Sequence, residues 1–266
     1  MKRLTLAQQH EQWRGDVREQ MQALLTVLGK LRAPGEDTET VVSVLRQLNE
    51  LFLLVVVGEF NSGKSAAINA LLGRAVLEEG VVPTTTRIQV LKYGDEGDST
   101  VLDAATLLIQ APIPLLQDIS IVDTPGTNAI EGRHEAITTN FIPRADLVVF
   151  VTSADRPFSE SERAFLSRIR DWGKKIVIVI NKIDILQTSG NLDRVEAYVE
   201  ENARQLLGIS PEVFSVSSRI AFRAKTDGDA SLLRESYFEA LEDYMVRKLD
   251  QRERVRLKLL NPLGVG

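Results

Sequence analysis

Cysteine is absent from this chain of 266 residues, and histidine, tryptophan and methionine number only two, two and three. Without cysteine, disulfides, thiolate metal sites and cysteine nucleophiles are excluded, which fits a reducing compartment. Long apolar runs are missing too. The longest, 51–57, is far shorter than the roughly 20 residues that span a bilayer, and the polar N-terminal residues do not resemble a signal peptide. We therefore expect no secretion, and only peripheral membrane contact or contact through sequence outside this chain.

An excess of positive charge is also lacking. Thirty-two Lys and Arg residues stand against 37 Asp and Glu, for a net charge of −5. This balance gives no general attraction to nucleic acid or anionic lipid, so we expect no nucleic-acid partner. With 44% hydrophobic and 26% charged residues, the chain has the composition of a globular protein, as one large domain or a domain with appendages.

The stretch Gly58–Ser65 reads Gly-Glu-Phe-Asn-Ser-Gly-Lys-Ser and directly follows the apolar run 51–57. It matches the phosphate-binding pattern G-x-x-x-x-G-K-[ST], with a buried strand predicted before it and a helix, 66–72, after it. The glycines allow a tight bend whose amides, together with the helix N-terminus, face phosphate oxygens. Lys64 is expected to reach the β- and γ-phosphates and Ser65 to ligate magnesium. The predicted nucleotide contacts here are Gly58, Phe60, Asn61, Ser62, Gly63, Lys64, Ser65 and Ala66.

Two later segments fit the γ-phosphate end of a nucleotide. The strand-like residues 119–122 lead into Asp123-Thr-Pro-Gly126. Asp123 can hold magnesium through water, and the Gly126 amide can bind the γ-phosphate and be released when it is lost. A threonine among 84–86, before the predicted strand 87–93, can complete the magnesium shell. Three adjacent threonines leave the assignment open, and threonine is common in plain loops.

The pattern N-K-x-D at 181–184 follows the predicted strand 176–180. The Asp184 carboxylate can accept hydrogen bonds from guanine N1 and N2, a donor pair that adenine lacks. The Lys182 stem can lie over the base, and Asn181 can tie this loop to the phosphate loop. A last strand, 213–216, ends at Ser217-Ser218-Arg219, where the Ser218 amide is expected to contact guanine O6. The predicted nucleotide is therefore GTP.

Strand segments alternate with helical ones, which predicts an α/β fold: a doubly wound, mostly parallel sheet with helices on both faces and the binding residues at the carboxyl ends of its strands. Strand 146–152 precedes a capping box at Ser159–Glu162. Helix 193–207 is predicted to place Tyr198 and Leu206 on its apolar side. Amphipathic helices flank the domain, from Trp13 to Leu31, through 41–48, and from Leu232 onward. Such helices pack on the domain's own surface or form half of a helical bundle.

These motifs, in this order, resemble the guanine-nucleotide-binding domain of P-loop GTPases. Three phrases sharpen the resemblance: Gly80-Val-Val-Pro-Thr-Thr, Asp123-Thr-Pro-Gly-Thr-Asn, and Arg254-Val-Arg-Leu-Lys-Leu-Leu-Asn-Pro-Leu-Gly. They are similar to those of bacterial dynamin-like proteins, and most of all to the Fzo-like members of cyanobacteria and plastids. The resemblance covers nearly the whole chain.

The family resemblance implies three parts: N-terminal neck helices at 1–50, the GTPase domain at 51–230, and C-terminal helices at 231–266 that complete a partial neck bundle. It implies GTP and GDP with Mg²⁺ as ligands and hydrolysis of GTP to GDP and phosphate. It further implies a homodimer through the nucleotide face and fusion or fission of membranes, in the cytoplasm or plastid stroma with peripheral membrane association through regions outside this chain. Thr85 becomes the switch threonine and a magnesium ligand. The implied catalytic set is Lys64, Ser65, Thr85, Gly126 and Asn61.

Two positions depart from better-known relatives. Phe60 stands where dynamins place a glutamine, and Thr127 stands where small signalling GTPases place one. Asn61 occupies the position at which potassium-activated GTPases carry a cation-binding asparagine. We hypothesise that K⁺ bound at Asn61 compensates charge in the transition state once two domains pair. The other interpretation is that Asn61 only forms hydrogen bonds within the loop.

Two other functions remain open. One is a regulatory or ribosome-assembly GTPase that recruits a partner without any membrane role. The second is a nucleotide-binding scaffold without turnover, which the two missing glutamines suggest. The flanking amphipathic helices favour the dynamin-like function, and the absence of a basic surface disfavours RNA binding.

Overall fold

The structure, a computed structural model, describes residues 6–80, 87–126, 137–186, 189–249, 253–254 and 256–257. Its helices are α1 (Leu6–Leu31), α2 (Gly35–Asn49), α3 (Lys64–Leu72), α4 (Glu160–Arg170), α5 (Ser189–Leu207), α6 (Ser218–Asp227), α7 (Ala230–Glu235) and α8 (Phe238–Asp243). Its strands are β1 (Phe52–Val57), β2 (Ile88–Tyr93), β3 (Ser99–Val101), β4 (Thr106–Ala111), β5 (Ile119–Asp123), β6 (Leu147–Ser153), β7 (Ile176–Asn181) and β8 (Glu212–Ser215). Short 3-10 or π turns cover Pro114–Gln117, Ile137–Phe141, Ile183–Ile185 and Tyr244–Lys248.

The eight strands form one sheet in the order β3-β4-β2-β5-β1-β6-β7-β8. Strands β5, β1, β6, β7 and β8 run parallel to one another, and β2 pairs parallel with β4. The pairs β2–β5 and β3–β4 are antiparallel. This confirms the predicted mostly parallel α/β sheet.

Register brings the carboxyl ends of the parallel strands to one edge of the sheet. Val56 in β1 pairs with Asp123 in β5, and Ser153 in β6 pairs with Asn181 in β7. Because β1 leads directly into the phosphate loop, that loop lies between the ends of β5 and β6. The motifs that are far apart in sequence therefore meet at this edge, as expected for an open α/β sheet.

The core lies on both faces of the sheet, because alternate residues of the buried strands point to opposite sides. On one face, Leu54 and Val56 of β1 pack with α3, α6 and α8. On the other, Val55 and Val57 pack with α4 and α5. Burial on both faces explains why β1, β6 and β7 are continuous apolar runs.

Some elements differ from the sequence-based expectation. Strands β3 and β4 were not predicted: β3, the edge strand, has only three residues and all are exposed, and β4, between β3 and β2, is only partly buried. Helix α6 was also missed: Ser217, assigned to base recognition, also caps this helix by accepting from the Ile220 N–H. The prediction for Tyr198 was wrong, because its side chain is 44% exposed, while Val199, Ala203 and Leu207 form the buried side of α5.

The two N-terminal helices pack against each other. Leu24, Val27 and Leu31 of α1 nevertheless remain exposed, and Val41 of α2 is buried. The division into neck and GTPase segments stays a prediction. In the described part of the chain, no helix combines the length and apolar character needed to cross a bilayer.

Asp146 fastens β6 to β1 at the edge of the sheet opposite the phosphate loop. Its carboxylate accepts from the Leu53 N–H at 2.8 Å, and its own N–H donates to the Leu53 carbonyl at 3.0 Å. The Asp146 side chain is buried, so this bond is shielded from water. The start of β1 is therefore fixed by a side chain as well as by the strand ladder.

We expect Asp146→Ala to lower the free energy of unfolding by about 1–3 kcal/mol, because it leaves a buried N–H without its carboxylate acceptor. Chemical denaturation of both proteins measures the change. Asp171→Ala is the matched control: that carboxylate is exposed and pairs only with Arg170 on the surface, so a change within about 0.5 kcal/mol is expected. Equal losses in the two variants would contradict the assignment.

Candidate functional site

The phosphate loop runs from the end of β1 to the start of α3 and is closed by a side chain from β7. The Asn181 Nδ2 donates to the carbonyls of Ser62 and Gly63 at 3.1 and 3.2 Å. Gly63 has a φ of +89°, and a Cβ there would lie 2.2 Å from Asn181 Nδ2. Only glycine allows both this backbone conformation and this close approach.

Lys64 lies folded over the loop that precedes it. Its Nζ donates to the carbonyls of Gly58 and Glu59 at 3.1 and 2.9 Å. Burial lowers the pKa of this ammonium, and the charges of Asp123, Glu162 and Glu59 oppose that shift. The lysine is thus held in the loop by carbonyl oxygens, with carboxylates nearby to balance its charge.

Ser65 and Asp123 form the corner in which the sequence predicts magnesium. The Ser65 hydroxyl donates to Asp123 Oδ2 at 2.6 Å, whereas Asp123 Oδ1 is buried and has no hydrogen-bond partner. Burial raises the pKa of Asp123 to about 6, although Lys64 and Ser65 act to lower it. An orphaned carboxylate oxygen beside a hydroxyl fits a hydrated divalent cation, which prefers oxygen ligands.

The described residues contain no cluster of three or more His, Cys, Asp or Glu side chains suited to a metal. Magnesium bound at Ser65 and Asp123 would therefore take its other ligands from water and phosphate, as is usual for this ion. Thr85, the third predicted ligand, lies outside the described residues, as do Thr127 and the other threonines of 84–86.

Gly126 packs directly against the phosphate loop. A Cβ at this position would lie 2.3 Å from the backbone nitrogen and 2.4 Å from the Cα of Phe60. At Gly126, the loop that follows β5 therefore lies directly against the Phe60 backbone of the phosphate loop. Phe60, where a glutamine was noted as missing, contributes its backbone to this contact.

Asn181 also joins the phosphate loop to the predicted base-binding loop. Its Oδ1 accepts from the backbone N–H of Lys182 at 2.8 Å and of Ser218 at 3.1 Å. The Ser218 amide, which the sequence assigned to guanine O6, is thus already used within the protein. Its predicted contact with guanine O6 stays a prediction, and that contact would have to share or replace the bond to Asn181.

The Asp184 carboxylate is held by two neighbours. Its Oδ1 accepts from the Ser217 hydroxyl at 2.5 Å, and its Oδ2 accepts from Arg219 Nη2 at 2.6 Å. Only 9% of the Asp184 side chain is exposed, against 80% of the Arg219 side chain. Since each carboxylate oxygen has two lone pairs, both oxygens keep an acceptor site for a base.

Asn61 and Lys182 meet across the mouth of the site. Both have positive φ values, of 63° and 64°, and Lys182 Nζ donates to Asn61 Oδ1 at 3.1 Å. The oxygen proposed for potassium therefore carries an ammonium in this arrangement. A cation at this oxygen would use its second lone pair, next to the positive charge of Lys182, or would displace the lysine.

A cavity of about 560 Å³ joins these parts. Its wall includes Phe60, Asn61, Gly63, Lys64, Ser65 and Ala66 from the phosphate loop and the start of α3. It also includes Gly126, Asn181, Lys182 and Arg219 from the other motifs. The structure thus brings together residues from four separate segments predicted to bind one nucleotide. Six other described residues that were predicted to bind do not line this cavity: Gly58, Ser62, Asp123, Asp184, Ser217 and Ser218. Asp184 and Ser217 line a smaller cavity of about 170 Å³.

Two buried residues at the site were missed by sequence reasoning. Asn69 on α3 accepts from the N–H groups of Val76 and Leu77 and donates to the Glu79 carboxylate at 2.7 Å, so it fixes the segment 76–79 at the cavity rim. The Ser236 carbonyl accepts from the Ser217 N–H at 2.9 Å and so fixes the base-binding loop. Neither lies in a recognisable motif, and only the helical position of Asn69 just after the phosphate loop was a usable signal.

A sequence model of the Dynamin family matches residues 54–106 and 103–184, which include the phosphate loop and the N-K-x-D pattern. The FZO-like, chloroplastic transmembrane GTPase of Arabidopsis thaliana is 41% identical, over 87% of this chain and 28% of its own length. Dynamin-like protein 2 of Campylobacter jejuni is 28% identical, over 85% of this chain and 39% of its own length. The chain thus spans well under half the length of these relatives.

A solved bacterial dynamin has the same fold, with a TM-score of 0.67 over 98% of this chain and 46% of the other, at 18% identity. It belongs to an oligomerised dynamin pair described as sensing and tethering membranes over long range. At this identity the likeness concerns the fold.

We expect Gly126→Ala to displace the phosphate loop, because the new methyl group would overlap the Phe60 backbone. Overpacking of this kind costs about 1–3 kcal/mol, and we expect both a lower melting temperature and weaker binding of GDP and GTP, measured with fluorescent analogues. Gly190→Ala is the control, since nothing lies within 4 Å of a Cβ there. Unchanged affinity in Gly126→Ala would show that the contact with Phe60 does not shape the site.

Proposed function

Because the chain belongs to the dynamin-like GTPases, we propose that it binds GTP and magnesium in the 560 Å³ cavity and hydrolyses GTP to GDP and phosphate. We further propose that two copies pair across their nucleotide faces and that the whole protein uses this cycle to remodel membranes. The observation that carries the proposal is the meeting of the Ser65–Asp123 corner with the 181–184 loop at one edge of the sheet.

In the proposed reaction, a water oxygen bonds to the γ-phosphorus while the bond from that phosphorus to the β–γ bridging oxygen breaks, so that GDP and phosphate leave. Lys64 would exchange its bonds to the Gly58 and Glu59 carbonyls for phosphate oxygens. Ser65 and Asp123 would hold a magnesium ion, which neutralises charge that develops between the β- and γ-phosphates. The Gly126 amide, next to the loop, would bind the γ-phosphate.

The described side chains at the loop do not include a glutamine that could orient the attacking water. Phe60 faces Gly126 through its backbone, and Thr127 lies outside the described residues. We propose that the second copy of the domain completes the site. Pairing would shield the site from water, which strengthens every charge interaction in it.

Self-association fits the oligomerised bacterial dynamin pair that shares this fold. Membrane contact would come from regions outside this chain, because the FZO-like relative is more than three times as long as the part matched here. The setting proposed is the cytoplasm or plastid stroma, at a membrane surface.

Phosphate release tests turnover and base choice together. We expect release from GTP by the wild-type chain and a fall in rate of about 10²-fold or more in Lys64→Ala, which loses a preorganised charge at the phosphates.

Asp184→Asn should lose about tenfold to a hundredfold in affinity for GTP. The same variant should gain activity with XTP, because an amide can donate to the xanthine O2 and accept from N1–H. Equal rates in wild type and Lys64→Ala would leave only a binding scaffold.

Gel filtration with light scattering tests pairing. We expect a monomer with GDP and a particle of twice the mass with GDP and aluminium fluoride, which mimics the transition state. A chain that stays monomeric in both would contradict the dynamin-like mechanism and leave a switch that recruits a different partner.

A potassium arm and a sodium arm test Asn61: pairing and turnover that are stronger in potassium, and equal in both salts for Asn61→Ala, support the cation. Equal results for the wild type would show that Asn61 only forms its hydrogen bond with Lys182.

A further inference from the structure

The carboxylate of Glu162 lies beside the phosphate loop and has no part in the proposed reaction. It is the fourth residue of the capping box that begins α4, and only 1% of it is exposed. Its Oε2 accepts from the Thr152 hydroxyl at 2.9 Å and from the Ser159 N–H at 3.1 Å. The capping bond alone would leave this group at a helix surface, whereas here it is fully enclosed.

The phosphate loop supplies a further bond to this carboxylate. The Glu59 backbone hydrogen-bonds to this carboxylate and acts to lower its pKa, while the charge of the Glu59 side chain acts to raise that pKa. The Glu59 side chain is bound to the same helical turn, because its Oε1 accepts from the Ser161 hydroxyl at 3.2 Å. Glu59 is therefore fixed to α4 through both its backbone and its side chain.

The same residue also holds the lysine of the site. The Glu59 carbonyl accepts from Lys64 Nζ at 2.9 Å. The Glu59 N–H bonded to Glu162 and the carbonyl bonded to Lys64 belong to one residue, so a rotation at Glu59 moves both groups. The position of α4 is thus connected to Lys64 through a single residue of the loop.

A small cavity of about 40 Å³ separates the loop from the residues that precede α4. Glu59, Ser62, Arg156 and Glu162 are among its walls, and the Ser62 hydroxyl is buried without a partner. The loop is thus not packed tightly against apolar side chains on this side. On this side, Glu59 holds the loop by polar contacts: its bonds to Glu162 and Ser161 and an ion pair with Arg156 at 3.8 Å.

Burial of a carboxylate is unfavourable unless several donors compensate. Burial indeed raises the pKa of Glu162, while its bonds to Thr152 and Ser159 act to lower it. If the group only capped α4, a less buried carboxylate would serve equally well. Its enclosure against the loop is the feature that capping does not explain.

We propose that Glu162 is a positioning residue for nucleotide binding: by holding the Glu59 backbone it sets the curvature of the phosphate loop and the place of Lys64. The inference rests on the proposed function, because it names a residue that shapes the same site. A capping role alone predicts a loss of stability, whereas a positioning role also predicts a loss of affinity in the folded protein.

The test compares four variants of the full chain with the wild type. Glu162→Ala removes the anchor, and Glu162→Gln keeps an acceptor oxygen of the same reach. Glu160→Ala is the matched control, because Glu160 lies in the same helical turn but is exposed. Leu166→Ala destabilises α4 by loss of apolar burial only, since Leu166 is fully buried in the core. For each protein, melting temperature, GDP dissociation constant, KM and kcat are measured well below the melting transition.

We expect Glu162→Ala to raise the GDP dissociation constant and KM by about tenfold or more, with a smaller change in kcat. Glu162→Gln should recover most of the affinity. Glu160→Ala should match the wild type, and Leu166→Ala should melt earlier at wild-type affinity. If Glu162→Ala does not fold, Ser161→Ala replaces it: it removes the bond to the Glu59 side chain, together with a contact to the Ser159 hydroxyl, and should raise the dissociation constant about threefold.

Wild-type affinity in a folded Glu162→Ala protein, or in Ser161→Ala, would overturn the inference and leave Glu162 as a helix cap. GDP binding by the wild type would in that case still stand, so the proposed function would survive. A wild-type chain that binds no guanine nucleotide would overturn the proposed function and the inference with it.

Discussion

The side-chain amide of Asn181 holds the two halves of the site together. It donates to two carbonyls of the phosphate loop and accepts from the N–H groups of Lys182 and Ser218. All four of its hydrogen-bonding positions are thereby used, and the side chain is buried. A fully satisfied buried amide of this kind fixes one arrangement of the loops around it, because any slip would leave a polar group unpaired away from water. The distance between the phosphate end and the base end of the cavity follows from this contact.

Around this fixed centre, the groups predicted to meet a nucleotide are bound to one another. Lys64 binds loop carbonyls, the Ser65 hydroxyl binds Asp123, and Arg219 binds Asp184. Each contact joins groups that would otherwise be buried or charged without compensation. GTP and magnesium would replace these contacts one by one, so that the net affinity is a difference between two sets of hydrogen bonds. The side chains of the site are thus held in place by one another. Each would exchange its protein partner for the nucleotide or the cation when these bind.

The described part of this dynamin-like GTPase has no side chain in the phosphate loop that could orient the attacking water. Gly126 touches the phosphate loop through the Phe60 backbone. Asn61, the residue next to Phe60, binds Lys182. This is why the proposed function gives a second copy of the domain a part in hydrolysis.

Local sequence motifs were enough to predict the nature of the site and the order of its parts. Gly58–Ser65, Asp123–Gly126 and 181–184 could be read because each motif is local: a few adjacent residues fix the backbone and the chemistry together. The strands that carry these motifs were also predictable, since burial on both faces makes them continuous apolar runs. The tertiary structure alone decided the contacts between segments. The Ser218 amide donates to Asn181, Tyr198 lies at the surface, and β3 and β4 extend the sheet beyond β2. Most of all, a capping glutamate 103 positions beyond Glu59 came to bind the phosphate loop. Such pairings depend on the register of β1, β6 and α4 in space, which no local pattern of residues encodes.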